Sequence, residues 1–179
     1  MMKTEKDINS NSDHSIPSGR AGVGVANAIF PGSFDPFTRG HADIVKRGLQ
    51  LFDHIVIAVG QNEQKQSWIP VEERVRALRE LYRNEPRISV EHYNTLTVDF
   101  ARKCNARFIL RGVRTHKDYE YEMGMADVNR QLAEDIETVV LFSDPSLANI
   151  SSSVVREVAH FGRDIQQWLP EGLNYKKTL

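Results

Sequence analysis

Short apolar runs alternate along the chain with longer stretches in which apolar side chains return every three or four residues. Five runs rich in β-branched residues predict strands: Val25 to Phe30, His54 to Val59, Arg87 to His92, Arg107 to Leu110 and Thr138 to Phe142. Between them lie helical spacings. Ala42, Val45, Leu49 and Phe52 form one stripe; Val71, Val75 and Leu78, with Leu81 or Tyr82, form a second. Further helices are predicted over 98–104 and 118–133, around Val154, Val155, Val158 and Ala159, and over 164–169. Strand–helix alternation requires parallel crossovers, with helices on both faces of the sheet. Runs such as IVIAV and VVLF, apolar on both sides, suit strands covered twice. The expected architecture is therefore α/β: a doubly wound, parallel, five-stranded sheet.

Composition narrows the function classes. The chain has 179 residues, 40 % apolar and 26 % charged, which fits one globular domain. Lys plus Arg is 23 and Asp plus Glu is 24, a formal net charge of -1, so no basic excess points to nucleic acid. The longest apolar run, Ile55 to Val59, is too short to span a membrane. Met1 to Ser18 is polar and lacks the apolar core of a signal peptide. One cysteine, Cys104, excludes an intramolecular disulfide and any multi-cysteine metal site. These features lead to the expectation of a cytoplasmic protein. Residues 1–27 hold four Ser, three Asn and three Gly and no Phe, Tyr or Trp, so 1–22 is expected to be a flexible extension and 23–179 the domain.

In a doubly wound sheet, ligands bind beyond the carboxyl ends of the strands. The loops there are loaded. After the first strand come Pro31-Gly32-Ser33-Phe34-Asp35-Pro36-Phe37-Thr38-Arg39-Gly40-His41 and then a helix. Gly32 lets backbone approach a phosphate, Ser33 adds a hydroxyl, and the helix start at Thr38 to His41 favours an anion. His41 adds an imidazole N–H. A tight joint with Asp35 as turn former and Thr38 as N-cap explains each residue singly; eleven such positions in a row are harder to explain that way. The polar loop Gly60 to Ser67 carries Lys65. Arg111-Gly112-Val113-Arg114 follows the fourth strand, and two cations so close should need an anion between them. Asp118, Glu120 and Glu122 open the long helix as ordinary dipole partners. Ser151-Ser152-Ser153 enters another helix, an N-cap or a phosphate cradle, with Arg156 one turn in.

Together these residues resemble the cytidylyl/adenylyl transferase superfamily, through TRGH (38–41) and ISSSVVR (150–156). With GSFDPFTRGH (32–41) and ILRGVRTHKDYEYE (109–122), the resemblance narrows to the bacterial phosphopantetheine adenylyltransferases. It runs from about Ala28 to Leu169. The resemblance implies a Rossmann-like fold that transfers the adenylyl group of ATP to 4′-phosphopantetheine, giving dephospho-coenzyme A and pyrophosphate. It implies that Ser33 and Phe34 contact ATP, Ser33 also the acceptor phosphate, and that His41 stabilises the transition state. Lys65 and Arg111 would hold the acceptor phosphate, and the Thr97 backbone the pantetheine arm. Gly112, Val113, Arg114, Glu122 and the segment Leu147, Ala148, Asn149, Ile150, Ser151, Ser152 and Ser153 would hold ATP. Position 147 is often aromatic in the family, and here it is Leu147. The resemblance also implies Mg²⁺ carried with ATP, a homohexamer, and inhibition by coenzyme A.

The chemistry agrees with this set. A phosphate acceptor is already ionised, so displacement at the α-phosphorus needs no general base and no covalent nucleophile; positioning and charge stabilisation suffice. The alternatives are a nicotinate mononucleotide adenylyltransferase, a glycerol-phosphate cytidylyltransferase and a non-catalytic nucleotide sensor. A dinucleotide-dependent oxidoreductase fits poorly, since no Gly-x-Gly-x-x-Gly follows the first strand.

Overall fold

The computed structural model describes residues 26–61 and 66–175. The expected extension 1–22 and Lys65 lie outside the described residues. Five strands, β1 (Asn27–Gly32), β2 (His54–Gly60), β3 (Ile88–Tyr93), β4 (Phe108–Val113) and β5 (Glu137–Phe142), alternate with helices α1 (Arg39–Gly48), α2 (Val71–Leu81), α3 (Thr97–Lys103), α4 (His116–Leu132) and α5 (Ser152–His160). Every pairing is parallel, and the strand order is β3-β2-β1-β4-β5. The expected Rossmann-like α/β sheet is therefore what this chain forms.

Strand alternation assigns the two faces. Along β1, Ala28 and Phe30 join Val45, Ile57, Leu78, Leu110 and Val155 in one core. Ile29, between them, points the other way and joins Val56, Ala58, Phe100, Ile109 and Ile136. So α1, α2 and α5 cover the first face, and α3 with the chain after α4 covers the second. Each fully buried Ile, Leu or Phe here is worth about 1.5–3 kcal/mol over exposure.

The winding reverses between β1 and β4, and there the sheet opens. β1 and β2 pair over six registers, from Asn27↔His54 to Gly32↔Val59. β1 and β4 pair only at Ala28↔Phe108 and Ile29↔Ile109. Beyond Ile29 the two strands diverge, which leaves a crevice at their carboxyl ends.

Several boundaries differ from the sequence expectation. Pro31 and Gly32 continue β1, because they pair with Ala58 and Val59. Arg111-Gly112-Val113 is strand and not loop, since it pairs with Val140, Leu141 and Phe142. α4 starts at His116, two residues before Asp118, because Thr115 is its N-cap and accepts from the Asp118 amide at 3.2 Å. The stretch 164–169 makes only a 3-10 turn, Gln166–Trp168.

Candidate active site

The turn from Pro31 to Thr38 lines the crevice, and side chains from β4, α2, α5 and the chain at Tyr175 hold its peptide groups. Arg111 from β4 donates to the Pro31 carbonyl, Arg74 from α2 to that of Ser33, and Arg156 from α5 to that of Asp35. The Ser152 hydroxyl donates to the Pro36 carbonyl at 2.8 Å. The Phe37 amide donates to the Tyr175 hydroxyl at 3.1 Å. Phe34 takes φ 48, a region L-residues seldom visit. Its ring folds back so far that a Cβ on Gly32 would lie 2.8 Å from it. Glycine at 32 is thus required by Phe34 as well as by any phosphate.

Asp35 is more than a turn former. Its carboxylate accepts from the amides of Trp68 at 2.9 Å and Ile69 at 2.8 Å, which fastens the chain after β2 beneath the turn.

His41 sits at the third position of α1. Its Nδ1 accepts from the Thr38 amide at 3.0 Å, so in the neutral ring the proton is on Nε2. Phe34 meets the imidazole edge-on at 5.2 Å between centroids, and Phe37 packs at 5.3 Å. Burial, then the charges of Arg114 and Arg111, pushes its pKa down to about 3. The ring is a neutral hydrogen-bond donor at physiological pH.

Imidazole nitrogen NMR tests this assignment. The Nε2–H tautomer should persist down to pH 5, whereas a midpoint between 6 and 7 would contradict it. The linkage sign follows. Below pH 6.5 the unfolded chain takes up a proton that the native ring refuses, so His41 removes stability as pH falls from 6.5 toward about 3.

Arg111 of β4 and Arg114 just after it need no bound anion to coexist, contrary to the expectation from their spacing. Arg111 pairs with Glu122, donating from Nε at 2.7 Å and from Nη2. Arg114 pairs with Asp118, donating from Nε at 3.0 Å. The acids of α4 therefore serve the arginines, not only the helix dipole. Their polar acceptors fix the two guanidinium planes at the crevice. The serine run is likewise engaged within the protein. Ser151 caps α5 by accepting from the Val154 amide at 3.1 Å, Ser152 ties down Pro36, and Ser153 accepts from Arg156 at 3.2 Å.

Two cavities meet here. The first, about 460 Å³, is lined by Ser33, Phe34, His41, Arg111, Gly112, Arg114, Glu122 and Ile150 to Ser153. The second, about 360 Å³, is lined by Thr97, Tyr93, Met125, Asn129 and Thr138. Pro31, Gly32, Ser33, Gly60, Arg111 and Glu122 line both. Of the remaining expected residues, Val113 is buried beneath the wall, and Leu147, Ala148 and Asn149 form or follow the 3-10 turn Pro145–Leu147, off either wall. Among the described residues no three His, Cys, Asp or Glu side chains gather as a metal site.

Sequence reasoning missed Arg74 and Asn129. Asn129, 9 % exposed, was hidden in a helix read only for its length. Arg74 carried a signal: it lies three residues from Val71, on the apolar stripe, where a charge is out of place.

The cytidylyltransferase-like family model matches residues 29–158. The chain is 52 % identical over 149 residues to a phosphopantetheine adenylyltransferase of Phocaeicola vulgatus, covering 83 % of this chain and 98 % of the relative. It is 51 % identical over 149 residues to that of Bacteroides fragilis, covering 83 % and 99 %. It is 49 % identical over 153 residues to that of Flavobacterium johnsoniae, covering 86 % and 100 %. Among solved structures, a bifunctional NMN adenylyltransferase/ADP ribose pyrophosphatase from Francisella tularensis, complexed with AMP and a manganese ion, superposes with a TM-score of 0.59. At 15 % identity, over 81 % of this chain and 44 % of that one, this likeness shows the fold alone.

Proposed function

The chain belongs to the phosphopantetheine adenylyltransferases within the cytidylyltransferase-like family, and from that premise we propose that it transfers the adenylyl group of ATP to 4′-phosphopantetheine. The products are dephospho-coenzyme A and pyrophosphate, the penultimate step of coenzyme A synthesis. The observation that carries this reading is the junction of two cavities at Ser33 and Arg111. A nucleotide in the first and a pantetheine arm in the second would bring two phosphate groups to one place.

The acceptor oxygen attacks the α-phosphorus in line with the departing pyrophosphate, without a covalent intermediate. It arrives ionised, so no proton has to be removed. The difficulty is repulsion between two anions, and the site opposes it with fixed donors and cations. Ser33 and Arg111 hold the acceptor phosphate from the junction, and Lys65 joins them. His41 Nε2–H donates to the α-phosphate, with Gly112, Arg114 and the Ile150–Ser153 segment around the nucleotide. Phe34 stays beneath, as the support of the turn. Bound with ATP, Mg²⁺ would supply charge neutralisation at the phosphates; Glu122 and Asp118 are committed to Arg111 and Arg114, so its ligands would be phosphate oxygens and water.

Coenzyme A shares the pantetheine arm and would compete for the second cavity, which is the basis of inhibition by the pathway's end. α4 leaves Tyr121 63 % exposed, and Phe142 on the edge strand β5 is 66 % exposed. These, with Val128 and Leu132 of α4, are exposed apolar side chains of the kind that subunit contact in a homohexamer would cover. The domain is assigned to residues 23–179, in the cytoplasm, with 1–22 dispensable for turnover.

The test is pyrophosphate release from ATP and Mg²⁺ with a panel of acceptors. Phosphopantetheine should support turnover, and nicotinate mononucleotide and glycerol phosphate should not. Robust release with nicotinate mononucleotide and none with phosphopantetheine overturns the assignment.

A further inference from the structure

Among the described residues Arg74 is one of the most deeply buried side chains, at 1 % exposure, and none of its hydrogen-bond partners there is a carboxylate. Its Nε donates to the Ile69 carbonyl at 2.9 Å. Nη1 donates to the carbonyls of Ser33 and, at 3.4 Å, Gly60, and Nη2 donates to the Ser67 hydroxyl at 3.3 Å. One planar group thus ties the end of β1, the end of β2 and the chain entering α2.

Packing alone does not call for a guanidinium there. The position continues the Val71, Val75 and Leu78 stripe, which an apolar side chain would extend without the cost of desolvating a charge. What the guanidinium adds is geometry. Its fork has fixed angles, so it fixes the Ser33 carbonyl relative to Gly60. Ser33 and Gly60 both line the junction of the two cavities. Asp35 does the complementary task two residues on, taking the Trp68 and Ile69 amides.

We propose that Arg74 is a positioning residue for adenylyl transfer: through the Ser33 carbonyl it sets where the Ser33 hydroxyl stands between nucleotide and acceptor. This rests on the function proposed above. Arg74 lies in the wall of the first cavity, 1 % exposed, with its donors turned to Ile69, Ser33, Gly60 and Ser67, so its loss should alter the transfer step more than nucleotide binding.

Arg74→Lys keeps the charge and length but cannot reach all four acceptors from one plane. The variant should fold, with its ATP Kd changed by less than about threefold and kcat lowered by about tenfold or more. Made in a Ser33→Ala background, the same change should cost less than about threefold, because the group it positions is gone. A full kcat, or costs that add in the double variant, overturns the proposal. Should Arg74→Lys fail to fold, Ser67→Ala removes only the Nη2 acceptor. A smaller kcat loss, absent in the Ser33→Ala background, then supports the proposal, and an unchanged kcat rejects it. The readout is pyrophosphate release with the best acceptor of the panel. A wild-type protein inactive on phosphopantetheine thus counts against the function, while the Arg74 comparison still decides its own question.

Discussion

His41→Ala should lose about 100- to 1000-fold in kcat, the usual cost of removing one preorganised donor, while the ATP Kd changes by no more than a few-fold. The expectation comes from three facts about the ring. Its Nδ1 is occupied by the Thr38 amide, so only Nε2–H is available to a ligand. Phe34 and Phe37 hold the ring's plane, so the donor needs no reorganisation when charge shifts onto the α-phosphate. Its pKa of about 3 keeps it neutral, so it offers a hydrogen bond and not a charge to ground-state ATP. A neutral donor aimed at developing charge gains most in the transition state, which is why the loss falls on kcat. Lys65 should behave differently: in the proposed role it would meet an acceptor already charged before reaction, so Lys65→Ala should raise the acceptor KM as well as lower kcat. Steady-state kinetics on both variants separate the two roles. If His41→Ala weakens ATP binding and spares kcat, the imidazole is a ground-state ligand.

The second large effect is expected at Arg111. Arg111→Ala should abolish measurable turnover and also destabilise the fold, because Glu122, with only 7 % of its surface exposed, loses the partner of its carboxylate. Breaking a fully buried pair costs about 3–5 kcal/mol; Arg111 keeps 26 % of its side chain exposed, so roughly 2–3 kcal/mol is expected here. The cost splits cleanly. Glu122→Gln placed in the Arg111→Ala background removes the stranded charge and should recover most of the stability, yet none of the turnover. Thermal and denaturant unfolding measure the first quantity, and pyrophosphate release the second. Recovery of both together would mean that Arg111 acts on the fold and not on the acceptor.

How much of this could be read from the residues varies by the range of the interaction. The parallel sheet and its layers follow from local pattern: the β-branched runs, the helical stripes and the handedness of parallel crossovers leave little freedom, whereas the strand order is seen only in the fold. The ends of β1 and β4 did not follow, because Pro31-Gly32 and Arg111-Gly112-Val113 look like loop residues and are strand only through pairing with β2 and β5. The crevice residues were legible as types suited to phosphate. Their partners were not: Arg114 meets Asp118 one turn on once α4 forms, and Arg111 meets Glu122 only when α4 folds back over β4. Asp35 passed for a turn former although its carboxylate binds amides 33 and 34 residues away. Arg74 stands out as a charge on the apolar stripe, but which carbonyls it meets depends on where β1 and β2 end. Contacts of long sequence separation are what a one-dimensional pattern omits.

The central claim is direct transfer between two anions brought together at Ser33 and Arg111. The stereochemical course at the α-phosphorus tests it most directly. ATP made chiral at that phosphorus with sulfur in place of one oxygen should give the thio-analogue of dephospho-coenzyme A with inverted configuration, as a single in-line displacement requires. Retention would mean two displacements and an adenylylated protein side chain between them, which would contradict the account.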